Sequence, residues 1–198
     1  MKRGRMMKYI GKGSVASFLR MTLSFVWWMG IVMIGLFAIF TVFVSIFGVP
    51  KGIEPPHHLT FKTDFGEIYF TDAIIKNPKQ LFFAFIPFGA LMLGLGMTII
   101  YQLRKIFATL AVGNPFVIQN AKRIRIIGLI ILGGAFVKLF ADLAMGYVLM
   151  KNLIVKGVTF SAKADLNVGA IFVSLVILII AEIFHQGALL KDEHDLTI

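Results

Sequence analysis

The sequence predicts an all-α membrane protein: a four-transmembrane-helix bundle with a small extracytoplasmic β cap built from loops 1 and 3. Three observations predict it. Apolar residues make up 58% of the 198 and are gathered into four long runs, whereas soluble domains are about 45–50% apolar without such runs. The basic residues crowd beside alternate ends of those runs. One connecting segment alternates apolar and polar residues around a turn signal. The chain reads as a single integral membrane domain, 1–198, with spans near 15–48, 80–112, 115–150 and 166–190 and outer loops near 49–79 and 151–165.

The first apolar run, Met21 to Pro50, carries no charge. At about 1.5 Å per residue it exceeds the roughly 30 Å hydrocarbon layer, so it has length to tilt. Its basic approach (Lys2, Arg3, Arg5, Lys8, Lys12, Arg20) has the look of a signal-peptide start. The apolar part is too long for such a peptide, whose core is about 7–15 residues, and it is read as a retained span. The second run is Leu81 to Leu103. The third, about Ile126 to Met150, holds Lys138 and Asp142, and the fourth, about Leu166 to Phe184, holds Glu182. Each crosses once as a helix, which satisfies its own backbone in lipid. Ala90, Gly94 and Thr98 form a small-residue ladder, read here as close packing within the bundle rather than a dimer seam.

Between spans two and three, Gly113-Asn114-Pro115-Phe116 is a helix–turn–helix joint. Gly ends one helix, Asn caps the next, and Pro suits the first helical position, so span three starts near Pro115. In the first outer loop, Leu59 to Thr71 alternates around Asp64-Phe65-Gly66 and predicts a β-hairpin. An isolated hairpin is marginal, so a third strand is expected from Leu153 to Ser161 of the other outer loop. Arg falls only before span one or around the middle turn (Arg104, Arg123, Arg125), which puts both termini and that turn in the cytoplasm.

Composition narrows the function classes. There is no Cys, so disulfides and thiolate metal sites are excluded. The net charge of +10 lies beside the spans and implies the lipid bilayer rather than direct nucleic-acid binding. No nucleotide-binding or hydrolytic motif is present, so the chain is read as non-enzymatic, with no cofactor. Lys138 and Asp142 are one helical turn apart and are expected to pair, since a lone charge in lipid costs at least about 2.5–3.5 kcal/mol. The pair is either a structural contact or an ion or proton site. Glu182-Ile-Phe-His185 has the spacing of di-iron bundles but lacks a second such motif. Glu182 is instead expected to reach Arg123 or Arg125. His57, His58, Glu54, Asp64, Glu67 and Asp72 are read as solvated loop residues, not a metal site. The end of the chain, Lys191 to Ile198, is acidic, and is either a solvated tail or a docking strip for the chain's own basic turn or a cytosolic partner.

Two stretches carry a family resemblance. Gly113-Asn-Pro-Phe116, Asn120, Arg123-Ile-Arg125 and Gly128 form the first. Glu182-Ile-Phe-His-Gln-Gly187, Leu190 and Glu193-His-Asp-Leu-Thr197 form the second. Over about residues 105–198 the chain resembles the bacterial four-span membrane family known only as DUF2975. The resemblance implies a bacterial inner (plasma) membrane protein with no assigned activity. The genes of that family often neighbour one for a small helix-turn-helix transcription regulator, which implies a membrane sensor or anchor for that regulator. Both motifs fall on the cytoplasmic side assigned by charge. The surface expected there comprises Asn114, Phe116, Asn120, Arg123, Arg125, Glu182, His185, Gln186, Glu193 and Asp195. A change at the outer cap or at Lys138–Asp142 is then expected to shift the helices and so hold or release the regulator. The competing classes are a small transporter, an immunity protein against a membrane-active peptide, and a structural subunit; a homo-oligomer is compatible with each.

Overall fold

A computed structural model describes residues 13–48, 58–63, 66–71, 74–75, 78–154 and 165–196. Four helices dominate it: α1 Val15–Phe47, α2 Pro78–Ala111, α3 Ile118–Asn152 and α4 Val168–Leu196. All four contain a stretch long and apolar enough to cross a membrane. Their outward faces are apolar too. Phe25, Val32, Leu36, Ile39 and Phe43 on α1 are exposed, which suits lipid and would be costly in water. What the helices bury among the described residues is small: six of the eight buried apolar residues are alanines (Ala16, Ala111, Ala121, Ala135, Ala181, Ala188). Large residues outside and small ones at the seams is how helices associate in lipid, where tight backbone approach replaces hydrophobic burial.

The chain falls into two compact units. The first comprises Met1–Ile34, Met92–Ala135 and Asn167–Ile198. Here α1 meets α2 where Gly30 packs against the Met97 side chain, and Trp27 stacks on Tyr101 with ring centroids 5.3 Å apart. The seam between α3 and α4 lies at Gly128. A Cβ there would sit 2.9 Å from Leu178 Cδ2, so any larger residue would push the Leu178 side chain aside. At the start of α4, Asn167 Oδ1 accepts a hydrogen bond from the Ala170 N–H at 3.0 Å, an N-cap that fixes where the helix begins.

The second unit comprises Gly35–Leu91 and Phe136–Leu166. Phe40 of α1 packs edge-on against Phe82 of α2 at 5.8 Å, and Lys79 Nζ donates to the Ser45 carbonyl at 3.2 Å. α2 continues through Pro87, whose missing N–H leaves the Phe83 carbonyl without its helical donor. At the end of α3, Asn152 Nδ2 donates back to the Val148 carbonyl at 2.9 Å, satisfying one of the last carbonyls of the helix. The hairpin expected from the alternation is present: β1 His58–Thr63 pairs antiparallel with β2 Gly66–Thr71, Leu59 opposite Phe70.

Three expectations need correction. Among the described residues the hairpin gains no third strand, so the expected single β cap is not seen. Among the described residues the second outer loop contributes β4 Leu153–Ile154, which pairs with β3 Ile74–Ile75 and not with the hairpin, giving two separate two-stranded ladders. The remainder of the expected third strand lies outside the described residues. Among the described residues the Ala90–Gly94–Thr98 ladder is not a seam, because a Cβ on Gly94 would meet nothing within 4 Å. Span three does not start at Pro115: residues 114–117 are not helical and α3 begins at Ile118.

Candidate functional site

The joint between α2 and α3 is closed by backbone geometry. Gly113 has φ of 88°, a conformation that disfavours residues with a Cβ. Its N–H donates to the Leu110 carbonyl at 3.0 Å and that of Asn114 to the Thr109 carbonyl at 3.1 Å. This paired 5→2 and 6→1 pattern is the Schellman motif, which uses up carbonyls the helix would otherwise leave open.

Asn120 is the centre of the joint. It is fully buried in the first turn of α3. Its Nδ2 donates to Thr109 Oγ1 at 2.7 Å and to the Pro115 carbonyl at 2.9 Å. Its Oδ1 accepts from Arg123 at 3.0 Å. Arg123 also donates to the Lys105 carbonyl at 3.1 Å, and Thr109 donates to the Ile106 carbonyl at 2.7 Å. The amide is thus satisfied on both sides, and one side chain ties the end of α2, the turn and the start of α3. A polar residue at the centre is expensive if any of these partners is lost.

α4 is fastened to this joint from outside. Lys191 Nζ donates to Asn114 Oδ1 at 2.7 Å. Asn114 therefore does not cap α3, as its position after Gly113 suggested; its side-chain oxygen is taken by α4. Phe116 stacks on Phe184 with centroids 5.5 Å apart, and Gly187 leaves room for the Phe116 ring, which a Cβ there would approach to 3.3 Å. Arg125 and Glu182 form a salt bridge at 2.8 Å. Both are about half exposed, so the pair orients α3 on α4 more than it stabilises them; exposed pairs contribute about 0–1 kcal/mol. The structure thereby brings Asn114, Phe116, Asn120, Arg123, Arg125 and Glu182 into one contiguous region. His185 is half-buried and Gln186 exposed, one turn beyond Glu182. Glu193 is exposed on the last turns of α4, and the side chain of Asp195 lies outside the described residues. The sequence reading missed Thr109 and Lys191; a hydroxyl eleven residues before a buried Asn carries no local signal.

Lys138 and Asp142 pair as their spacing implied, Nζ to Oδ2 at 2.6 Å. They project from the side of α3 opposite the exposed stripe Phe136, Phe140, Leu143 and Tyr147, at 100° per residue. In the outer loop, Glu54, His57, Asp64 and Asp72, and the side chains of His58 and Glu67, lie outside the described residues.

Neither a curated protein nor a solved structure matches the chain. A family profile does: that of the protein family of unknown function DUF2975, over residues 69–198. The match runs from β2 through the joint to the end of α4, more than half of the sequence, and includes every residue of the region tied together above. The chain, with its four helices long and apolar enough to cross a membrane, belongs to the DUF2975 family of proteins of unknown function.

Proposed function

We propose that this is a non-enzymatic, multi-pass protein of the bacterial inner membrane with both termini cytoplasmic. Its joint and α4 form a cytoplasmic surface that anchors a small helix-turn-helix transcription regulator. One observation supports the reading most directly: the α2–α3 turn and the charged end of α4 are bonded together through Lys191 and Asn114. A tail that serves only solubility has no need of that contact. The surface offers a regulator an exposed aromatic edge at Phe116 beside charges of both signs, Arg125 and Glu182. Release would follow when a displacement of α4 breaks the Lys191 and Phe184 contacts. The test is capture of the regulator from the native cytosol by the full chain, by Lys191→Met and by Phe116→Ala. The expected result is recovery by the parent chain and at least a several-fold loss in both variants. Equal recovery from all three would remove this surface from the account.

A second reading, passage of a small solute, rests on Lys138 and Asp142. Their side chains are 47% and 34% exposed although they face away from the apolar stripe of α3. Solute flux into liposomes that Lys138→Met abolishes would favour it over anchoring.

A further inference from the structure

The start of α1 carries an open depression of about 350 Å³ lined by Ser17, Arg20, Met21 and Ser24. These positions are spaced i, i+3, i+4 and i+7, so one helical face presents all four. Arg20 is exposed and, among the described residues, has neither an ion pair nor a hydrogen-bond partner. That sets it apart from Arg123 and Arg125, which are both engaged.

Depth identifies what this face meets. Continuing along it, Trp27 lies seven residues on, about 10 Å along the axis. Trp27 stacks on Tyr101, and Lys105 Nζ lies 4.2 Å over that same ring. Trp and Tyr collect at the level of lipid headgroups, where an amphipathic ring has one apolar and one wet side. α1 and α2 run antiparallel here, as Gly30 against Met97 and Trp27 against Tyr101 require. Lys105 is therefore about level with Ser24. The depression begins at the aromatic layer and opens outward from it, and among the described residues it has the Arg20 guanidinium on its outer side and Met21 as its apolar wall.

We propose that this face of α1 binds the phosphate of an anionic phospholipid, held by Arg20 and the hydroxyl of Ser24. A guanidinium with a hydroxyl donor beside it suits the oxygens of a phosphodiester. The apolar wall at Met21 suits the glycerol and first methylenes. Free phosphate has the same oxygens, but one exposed Arg holds it weakly against water, whereas the bilayer delivers a lipid phosphate to this depth continuously. The site is separate from the joint and from α4, so it stands whether or not a regulator docks there.

The test uses the full chain in nanodiscs of phosphatidylcholine mixed with phosphatidylglycerol, with retained lipids counted by native mass spectrometry. The parent chain should keep phosphatidylglycerol in preference. Arg20→Gln should lower that preference about fivefold, the equivalent of about 1 kcal/mol for one basic side chain at the headgroup level. Arg125→Gln, whose partner is Glu182, should leave it unchanged. Ser24→Ala provides a second probe should Arg20→Gln fold poorly, and should also reduce retention. Equal retention by the parent and these variants overturns the site. Displacement of the retained lipid by millimolar inorganic phosphate would make the occupant a free anion and overturn the lipid assignment.

Discussion

Asn120 shows how one side chain fixes a local structure. Its two donors and its acceptor reach Thr109, Pro115 and Arg123, so Asn120→Ala leaves a half-buried hydroxyl, a carbonyl and a guanidinium each short of one partner at once. The expected cost is about 1–3 kcal/mol, seen as a fall of several degrees in the thermal midpoint of the purified protein. An unchanged midpoint would mean water replaces the amide. Lys138 and Asp142 call for a comparison. Lys138→Met leaves a lone carboxylate in the span, at about 2.5–3.5 kcal/mol on insertion scales, while Lys138→Met with Asp142→Leu leaves none. The double variant should therefore be more stable to denaturant than the single one; the reverse order would show that Asp142 has a second partner. This pair was legible in the sequence because a turn of helix is local geometry. So was Glu182 with Arg125, once charge had put both at the same membrane face. Asn114 was misread because the cap position is local, whereas Lys191, which occupies its oxygen, arrives from 77 residues away.

Glycine separates the two kinds of helix face. Gly128 admits Leu178 and Ile177 of α4, so Gly128→Leu overpacks that seam, with an expected cost of about 1–3 kcal/mol. Gly94→Leu places the same side chain in open space and should leave the monomer's thermal midpoint within a degree or two. Similar losses in both would mean the Gly94 face is covered in the purified protein, and size-exclusion chromatography would then report a second copy. The contrast was not legible beforehand. Small residues at four-residue spacing mark a surface that permits close approach, but which partner uses it depends on the rotation of the helix. The four helices themselves were legible, because an apolar run of spanning length has few alternatives in lipid. The hairpin was legible from its alternation. The cap was not, because strand pairing between distant loops depends on where each helix ends, and α3 runs on to Asn152 before its strand begins.

On the scale of the molecule, the even number of spans makes a prediction that needs no knowledge of activity. The sequence has no Cys, so a single introduced thiol reports alone. Val112→Cys at the joint and Asp192→Cys near the end of α4 should react with an impermeant maleimide from one side of the membrane, and Asp165→Cys from the other. Val112 and Asp165 labelled from the same side would contradict α3 as a complete crossing. The joint has a further consequence, for motion. Backbone bonds close it at Leu110 and Thr109, and side chains cross it at Asn120 and Arg123, so it has no freedom to act as a hinge. The adjoining stretches of α2 and α3 must swing together as a stiff lever. A displacement of α4 would then take place against this lever rather than within it, and a spin label on each arm of the lever would record one unvarying separation throughout.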